Sequence, residues 1–230
     1  MVKVKIDGVL VEVPEGSTIL EAAEVAGIRI PTLCYLKDIN AIGACRMCLC
    51  EVEGARGLCA ACVFPIEPTR DGSPVVIRTN TPALREARKK TLELILSNHR
   101  MDCLSCSRST NCELQKLANE YGVDQYKYGH PDLKPDIDDS AIHLVRDNSK
   151  CILCRRCVAV CRKNQFTGVI GANERGYDTH ISSAFDMPLA NTACIHCGQC
   201  ISVCPTGALT ERDDTEKVWA AIADPTKHVV

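Results

Sequence analysis

The chain has 230 residues, of which 17 are cysteine and 4% are aromatic, and its formal net charge is −2. A near-neutral charge gives no reason to expect a nucleic-acid partner, and no apolar run approaches the roughly 18 residues that a membrane span needs. Because so few large aromatic side chains are available for a core, we expect bound metal to supply part of the folding free energy.

The alternative use of many cysteines is a disulfide framework, which is typical of small secreted chains. The N-terminal residues Met1–Asp7 alternate apolar and polar side chains and contain no apolar stretch of the kind found in a secretory signal. An odd cysteine count and repeated two-residue spacings also fit metal ligation better than disulfides. We therefore expect a cytoplasmic metalloprotein without a transmembrane segment.

The first region begins with alternating strands. Residues 2–13 alternate on either side of Asp7 and Gly8, a turn pair that strongly indicates a hairpin. A short helix is predicted over Ile19–Ala26. A hairpin followed by a helix predicts the start of a β-grasp domain, to which we assign residues 1–80.

Six cysteines fall in this region, more than one cluster can use. Two at two-residue spacing, with one upstream and one distant downstream, suit a [2Fe-2S] cluster whose irons each take two thiolates, although the spacing is not the plant type. Spacing alone leaves open whether Cys59 or Cys62 is the downstream ligand. The six are Cys34, Cys45, Cys48, Cys50, Cys59 and Cys62.

A helix is predicted from Pro82, after the N-cap Thr81, as far as Asn98. This helix is followed by His99 and then by a group of three cysteines, which are Cys103, Cys106 and Cys112. A histidine at this end of a helix commonly interacts favourably with the helix dipole. Three cysteines, however, leave a four-cornered [4Fe-4S] cluster one ligand short, and His99 is the nearest unused donor.

Residues 81–125, which also contain a short helix predicted over Glu113–Glu120, form a predicted small helical domain. The basic residues of the first helix are interpreted as a solvated face. They are Arg85, Arg88, Lys89 and Lys90. The Tyr-, Pro- and Asp-rich residues 126–140 are interpreted as a connector.

The third region, residues 141–215, contains the most specific pattern of the chain. Two runs each place three cysteines at two-residue intervals and a fourth three residues later, the arrangement in which the fourth cysteine ligates the other of two [4Fe-4S] clusters. This exchange predicts two ligand sets: Cys151, Cys154, Cys157 and Cys204 for one cluster, and Cys194, Cys197, Cys200 and Cys161 for the other.

Zinc is the competing interpretation of this double motif. A structural zinc site takes four ligands, usually as two separated pairs, so a third evenly spaced cysteine has no role in it. Pro205 after the last cysteine also fits the iron–sulfur pattern, whereas Cys161 is followed by Arg162. The repeated unit of cluster loop, short helix and strand predicts a bacterial-type ferredoxin-like domain. A long insertion, Asn164–Asn191, separates its halves and is expected to form extra strands or a docking surface.

The order of these motifs resembles a known arrangement over nearly the whole chain. The spacing of Cys34, Cys45, Cys48 and Cys62 resembles the N-terminal [2Fe-2S] domain of the large iron–sulfur subunit of complex I and of multi-cluster [FeFe] hydrogenases. His99 with Cys103, Cys106 and Cys112 resembles the histidine-ligated [4Fe-4S] site of the same two families. The resemblance selects Cys62 over Cys59 and supports His99 as a ligand, which gives one [2Fe-2S] and three [4Fe-4S] clusters in an α+β protein.

The resemblance also implies a function. The chain is similar to the electron-transfer half of NAD(P)-linked [FeFe] hydrogenase alpha subunits and to the diaphorase iron–sulfur subunit of NAD-linked [NiFe] hydrogenases. Residues 216–230 resemble the segment that leads into the hydrogen-converting domain, whose cysteine motifs are absent here. The implied role is electron transfer, with no catalytic residue in the chain. The implied partners are a flavin- and NAD(P)-binding diaphorase-type subunit and a hydrogenase catalytic domain or subunit, with a soluble ferredoxin as a further candidate.

Three alternatives stay open at this point. The chain also resembles the start of the complex I subunit and NAD-dependent formate dehydrogenases, and a zinc-binding scaffold is the distant alternative. A complex I-type module would belong to a membrane-bound quinone-reducing assembly, whereas a zinc scaffold would lack colour and acid-labile sulfide.

Overall fold

The protein is described by a computed structural model, which covers residues 1–124, 127–128 and 133–230. No helix within these ranges is both long enough and apolar enough to cross a bilayer. The predicted connector over 126–140 lies partly outside the described residues. Within it, Ile137 and Asp138 form a short strand.

The first domain contains one five-stranded mixed sheet. Its strands are β1 (Val2–Ile6), β2 (Val9–Val13), β3 (Leu49–Val52), β4 (Cys59–Ala60) and β5 (Val75–Arg78). Their order is β2-β1-β5-β3-β4, in which β1 and β5 are parallel and the other neighbours are antiparallel. The hairpin turn is confirmed, because Asp7 and Gly8 have φ of 44° and 94°, as a two-residue hairpin turn with two positive φ angles requires.

Helix α1 (Ile19–Val25) packs against this sheet and completes the predicted β-grasp. Thr18 begins it with a capping box, in which its side chain accepts from the Glu21 amide and the Glu21 carboxylate accepts from the Thr18 amide. Alternate residues of β1 point to the core, so Val4 and Ile6 are fully buried. Burial of this apolar face stabilises the domain.

The second domain consists of two helices, whose predicted positions are confirmed. Helix α2 spans Pro82–Leu96 and helix α3 spans Glu113–Glu120. Their core is shared with the first domain, because Leu33 and Met47, both 0% exposed, belong to the same buried cluster as the apolar faces of the helices. The loops that carry Cys34 and Cys48 are therefore packed directly against the second domain.

The solvated-face interpretation of α2 is wrong at Arg88. This side chain is 3% exposed, and its guanidinium donates to the Leu49 carbonyl at 2.7 Å and the Thr79 carbonyl at 2.9 Å. It also donates to the Tyr121 hydroxyl at 3.2 Å. The guanidinium donates hydrogen bonds to carbonyl groups where the sheet meets the helices, so this side chain is buried and does not belong to a solvated face.

The third domain has the predicted ferredoxin-like unit. A cluster loop, a short helix and a strand occur twice, as α4 (Arg156–Lys163) with β8 (Ile170–Asn173), and as α5 (Gln199–Ser202) with β10 (Leu209–Glu211). The insertion forms an extra hairpin, since β8 pairs with β9 (His180–Ser183). A second sheet has the order β10-β7-β6, where β6 is Ile137–Asp138 and β7 is Leu144–Asp147.

The last described element is helix α6, Thr215–Ala223, which overlaps the predicted 216–230 segment. It contains no buried residue. Its apolar side chains Val218, Trp219 and Ile222 are each more than half exposed.

Candidate metal centres

Four cysteines of the first domain lie close together. The thiols of Cys48 and Cys62 lie 3.4 Å apart, and the Cys45 amide donates to the Cys34 sulfur at 3.5 Å. Hydrogen bonds from Cys45 and then Cys62 hold the pKa of the Cys34 thiol far below its usual range. The structure thus brings together the four cysteines that were selected as [2Fe-2S] ligands.

The other two cysteines of this domain point elsewhere. Cys50 and Cys59 face each other across the β3–β4 ladder, and their thiols lie 3.7 Å from the carbonyl oxygens of Cys48 and Gly57. Burial raises the pKa of Cys50 to about 12 and also raises the pKa of Cys59. The geometry therefore favours Cys62 over Cys59 as the fourth member of the group.

His99 lies just beyond the end of α2. It is 7% exposed, and its amide donates to the Leu96 carbonyl at 3.1 Å. Burial lowers the pKa of its imidazole to about 4. The ring is therefore neutral at pH 7, which is the form that ligates metal.

Three cysteines follow His99 and lie close to one another. Burial raises the pKa of Cys112, and the neighbouring Cys106 and Cys103 raise it further. Cys112 is the N-cap residue of α3, and its sulfur accepts a hydrogen bond from the Gln115 amide at 3.4 Å. A helix N-terminus favours negative charge, so this position suits a thiolate.

This middle group packs against the loop that follows Cys204. The Cys112 thiol lies 3.7 Å from the Pro205 carbonyl oxygen, and Arg108 donates to the Cys204 carbonyl at 2.9 Å. Gly207 allows this loop to approach Cys106 closely, because a Cβ added at Gly207 would stand 2.7 Å from the Cys106 sulfur. Only glycine leaves room for the sulfur at that distance.

In the third domain the structure places the fourth cysteine of each run near the other run. Burial raises the pKa of Cys154, and the charges of Cys151 and Cys204 raise it further. Burial also raises the pKa of Cys200, and the charges of Cys194, Cys197 and Cys161 raise it further. This arrangement agrees with the exchanged ligand sets, which stay a prediction.

The two cluster loops have matching backbone conformations. Leu153 and His196, each just before the second cysteine of its run, have φ of 54°. Arg155 and Gly198, each just after that cysteine, have φ of 60° and 72°. Alternation of this kind turns successive amides toward one concave side, where they can stabilise negative charge. The Leu153 amide accordingly donates to the Cys151 sulfur at 3.4 Å.

The donor sets fit iron–sulfur clusters. A cavity in the third domain is lined by all four cysteines of the second set, which are Cys161, Cys194, Cys197 and Cys200. Across the described residues, no three His, Cys, Asp or Glu side chains are positioned to hold one metal ion together.

Sequence motifs missed the residues that join these groups. No motif identifies the close approach at Gly207, and the ion pair between Arg156 and Glu113 was not foreseen. Neither residue of that pair is a metal donor in the motifs, so cysteine spacing carries no signal for them. The one available signal is position, because Glu113 follows Cys112 and Arg156 precedes Cys157.

Comparison with known families finds three matching profiles. Residues 1–81 match a 2Fe-2S iron-sulfur cluster binding domain, and residues 150–212 match a 4Fe-4S dicluster domain. Residues 88–127 match the NADH-ubiquinone oxidoreductase-G iron-sulfur binding region. A [2Fe-2S] domain and [4Fe-4S] domains are therefore present.

Among curated relatives, the chain is 42% identical to the NADP-reducing hydrogenase subunit HndD of Solidesulfovibrio fructosivorans, over 100% of this chain and 39% of that protein. It is 38% identical to the NADH-ubiquinone oxidoreductase 75 kDa subunit of Reclinomonas americana, over 80% of this chain and 26% of that protein. The chain thus spans well under half the length of these relatives.

A solved structure resembles the fold. It is the crystal structure of an NAD+-reducing [NiFe]-hydrogenase in the H2-reduced state, with a TM-score of 0.83 and 27% identity. The match covers 92% of this chain and 87% of that one. The similarity therefore extends across all three domains and their arrangement.

Proposed function

Because this chain is an iron–sulfur region of the kind found in NAD(P)-linked hydrogenases and in the large iron–sulfur chains of NADH-quinone oxidoreductases, we propose that it relays single electrons through four clusters. The relay runs between a flavin- and NAD(P)-binding diaphorase-type partner and a hydrogenase catalytic domain or subunit. The chain itself supplies no catalytic residue.

The proposed cofactors are one [2Fe-2S] cluster and three [4Fe-4S] clusters. The proposed ligands, in order, are Cys34, Cys45, Cys48 and Cys62; His99, Cys103, Cys106 and Cys112; Cys151, Cys154, Cys157 and Cys204; and Cys194, Cys197, Cys200 and Cys161. The proposed domains are residues 1–80, 81–125 and 141–215, with a connector over 126–140 and a bridge over 216–230.

The observation that carries the proposal is the contact between ligand groups. Cys204 lies beside Cys151 and Cys154, and its own carbonyl accepts from Arg108 of the middle group. The next residue, Pro205, accepts from the Glu113 amide at 3.1 Å. Short connections of this kind support direct electron transfer between neighbouring sites.

The clusters, when bound, supply the one-electron chemistry, and the protein sets their potentials through hydrogen bonds to sulfur, exposure and ligand type. Backbone amides donate to the sulfurs of Cys34, Cys112 and Cys151. A neutral imidazole in place of one thiolate makes the middle site less negative. We expect its potential to differ from those of its neighbours for that reason.

We further propose that the module works in the cytoplasm. None of the 17 cysteines is paired in a disulfide, which suits a reducing compartment. A soluble ferredoxin is a further proposed partner.

One alternative keeps direct support. The match to the NADH-ubiquinone oxidoreductase 75 kDa subunit favours a module of a quinone-reducing assembly. The natural full-length protein, purified without air with its bound subunits, distinguishes the two. Hydrogen-dependent reduction of NAD+ or NADP+ supports the hydrogenase proposal, whereas NADH-dependent quinone reduction without hydrogen turnover would replace it.

A further inference from the structure

Asn40 occupies the point where the first domain meets the third. It ends a tight loop after Cys34, closed by bonds between the backbones of Leu36 and Asn40 at 2.8 and 2.9 Å. The residue is only 4% exposed. A buried carboxamide needs hydrogen-bond partners, and the identity of those partners indicates its role.

Its partners are the backbones of two candidate ligands. The Asn40 amide nitrogen donates to the Cys34 carbonyl at 2.7 Å and to the Cys154 carbonyl at 3.0 Å. One NH2 group has two hydrogens, so both bonds form together. Cys34 belongs to the proposed [2Fe-2S] site and Cys154 to the first proposed cubane.

A second hydrogen bond also joins this loop to the third domain. Lys163, at the end of α4, donates to the Ile39 carbonyl at 2.5 Å. The loop therefore contacts the third domain through a backbone carbonyl as well as through the Asn40 carboxamide.

We propose that Asn40 is a positioning residue that fixes the spacing of the [2Fe-2S] site and the first cubane and provides the hydrogen-bonded link between them. The connection runs from Cys34 through its carbonyl, across the carboxamide, to the carbonyl of Cys154. With both clusters bound, the step that Asn40 would serve is the transfer of one electron from the [2Fe-2S] cluster to the cubane, which would need no proton and would break no bond. This inference rests on the ligand sets of the proposed function.

Asparagine suits this position for a chemical reason. Leucine has nearly the same shape but no donor, so it would leave both carbonyls unpaired. Aspartate would place a carboxylate, which only accepts, against two carbonyl oxygens. Both substitutions keep the size of the side chain and remove the link.

The test compares Asn40→Leu with Asn173→Leu. Asn173 is the matched control, because its amide also donates twice, to the Ser183 carbonyl at 2.7 Å and to Asp186 at 2.8 Å, within the insertion hairpin. Laser-flash reduction of the cluster-loaded chain measures transfer between centres. The second readout is the spin relaxation of the reduced [2Fe-2S] signal, which a reduced cubane nearby accelerates.

With iron content unchanged, Asn40→Leu should slow transfer roughly tenfold, equivalent to about 1.4 kcal/mol of barrier, and should weaken the relaxation enhancement. Asn173→Leu should change neither. Unaltered rate and relaxation in Asn40→Leu would overturn the inference.

If Asn40→Leu loses iron, Asn40→Ser takes its place, since a hydroxyl has one hydrogen and can pair with only one of the two carbonyls. Wild-type rate and relaxation in a fully loaded Asn40→Ser would overturn the inference equally. Failure of the proposed function looks different, because it appears in the wild-type protein, either as missing clusters or as quinone reduction without hydrogen turnover, and not as a difference between Asn40→Leu and Asn173→Leu.

Discussion

Both terminal nitrogens of Arg156 donate hydrogen bonds to the carboxylate of Glu113, at 2.7 and 2.9 Å. Arg156 is the first residue of α4 and is followed by Cys157, whereas Glu113 is the first residue of α3 and is preceded by Cys112. The pair therefore joins the starts of two helices, and each start lies next to a proposed ligand. The guanidinium side chain is 8% exposed and the carboxylate side chain 49%.

Replacement Arg156→Met should destabilise the protein and lower a potential. Loss of a partly buried pair should reduce the free energy of unfolding by about 2 kcal/mol, below the full cost of a buried pair because Glu113 is half exposed. Removing a cation near Cys154 should also make the first cubane harder to reduce, since a positive charge stabilises the added electron. An EPR-monitored redox titration measures the shift. The exposed Arg85→Met is the control, and an equal shift there would contradict the assignment.

Replacement Gly207→Ala should empty the histidine-containing site. The new Cβ would stand 2.7 Å from the Cys106 sulfur, inside van der Waals contact, so that the cysteine must move. We expect about four fewer irons per chain and loss of one [4Fe-4S] signal. Gly171→Ala is the matched control, since a Cβ there meets nothing within 4 Å. Full iron content in Gly207→Ala would show that the contact is dispensable.

The two downstream cysteines of the first domain should behave differently. Cys62→Ser should lose the [2Fe-2S] signal and about two irons, because the Cys62 sulfur lies 3.4 Å from that of Cys48. Cys59→Ser should retain both, because its thiol lies near the Gly57 carbonyl instead. Ultraviolet–visible and EPR spectra of the purified variants measure the [2Fe-2S] signal. Loss of that signal in Cys59→Ser but not in Cys62→Ser would make Cys59 the ligand.

Acid should destabilise the middle site through His99. Burial lowers its pKa to about 4 in the folded protein, against 6.5 as the ordinary value, so the unfolded chain binds more protons between these two pH values. The stability contributed by the neutral ring is complete above pH 6.5 and declines as pH falls to 4, by up to about 3 kcal/mol. Iron retention and denaturant unfolding followed from pH 7 to 4 measure this decline.

The control for this pH dependence is His228→Gln, at an exposed C-terminal position. It should keep the wild-type profile, whereas His99→Cys should flatten the decline between pH 6.5 and 4. A profile that His99→Cys leaves unchanged would assign the acid sensitivity to other groups.

The parts of the fold that depend on local pattern were predictable. Alternation around Asp7 and Gly8 predicts the hairpin, and capping residues with helical spacing predict α2 and α3, because those signals act within one turn or one ladder. The proximity of Cys161 to the second cysteine run and of Cys204 to the first was predictable for a different reason. A repeated ligand spacing carries the geometry of the cluster that it surrounds.

Contacts between distant segments could not be predicted from pattern. Arg88 looked solvated because its acceptors, the carbonyls of Leu49 and Thr79, are supplied by the sheet. No motif singles out Asn40, since its second acceptor lies 114 positions away at Cys154. Such pairs depend on how domains pack, and periodicity within one element contains no information about that packing.

We infer that this chain holds four iron–sulfur clusters that pass electrons to one another. Anaerobic purification followed by iron and acid-labile sulfide analysis and EPR of the reduced protein measures their number and type. We expect about 14 irons per chain, with signals from one [2Fe-2S] and three [4Fe-4S] centres that broaden one another when all are reduced. A preparation with about four irons or fewer, or a colourless one without an EPR signal, would rule this out.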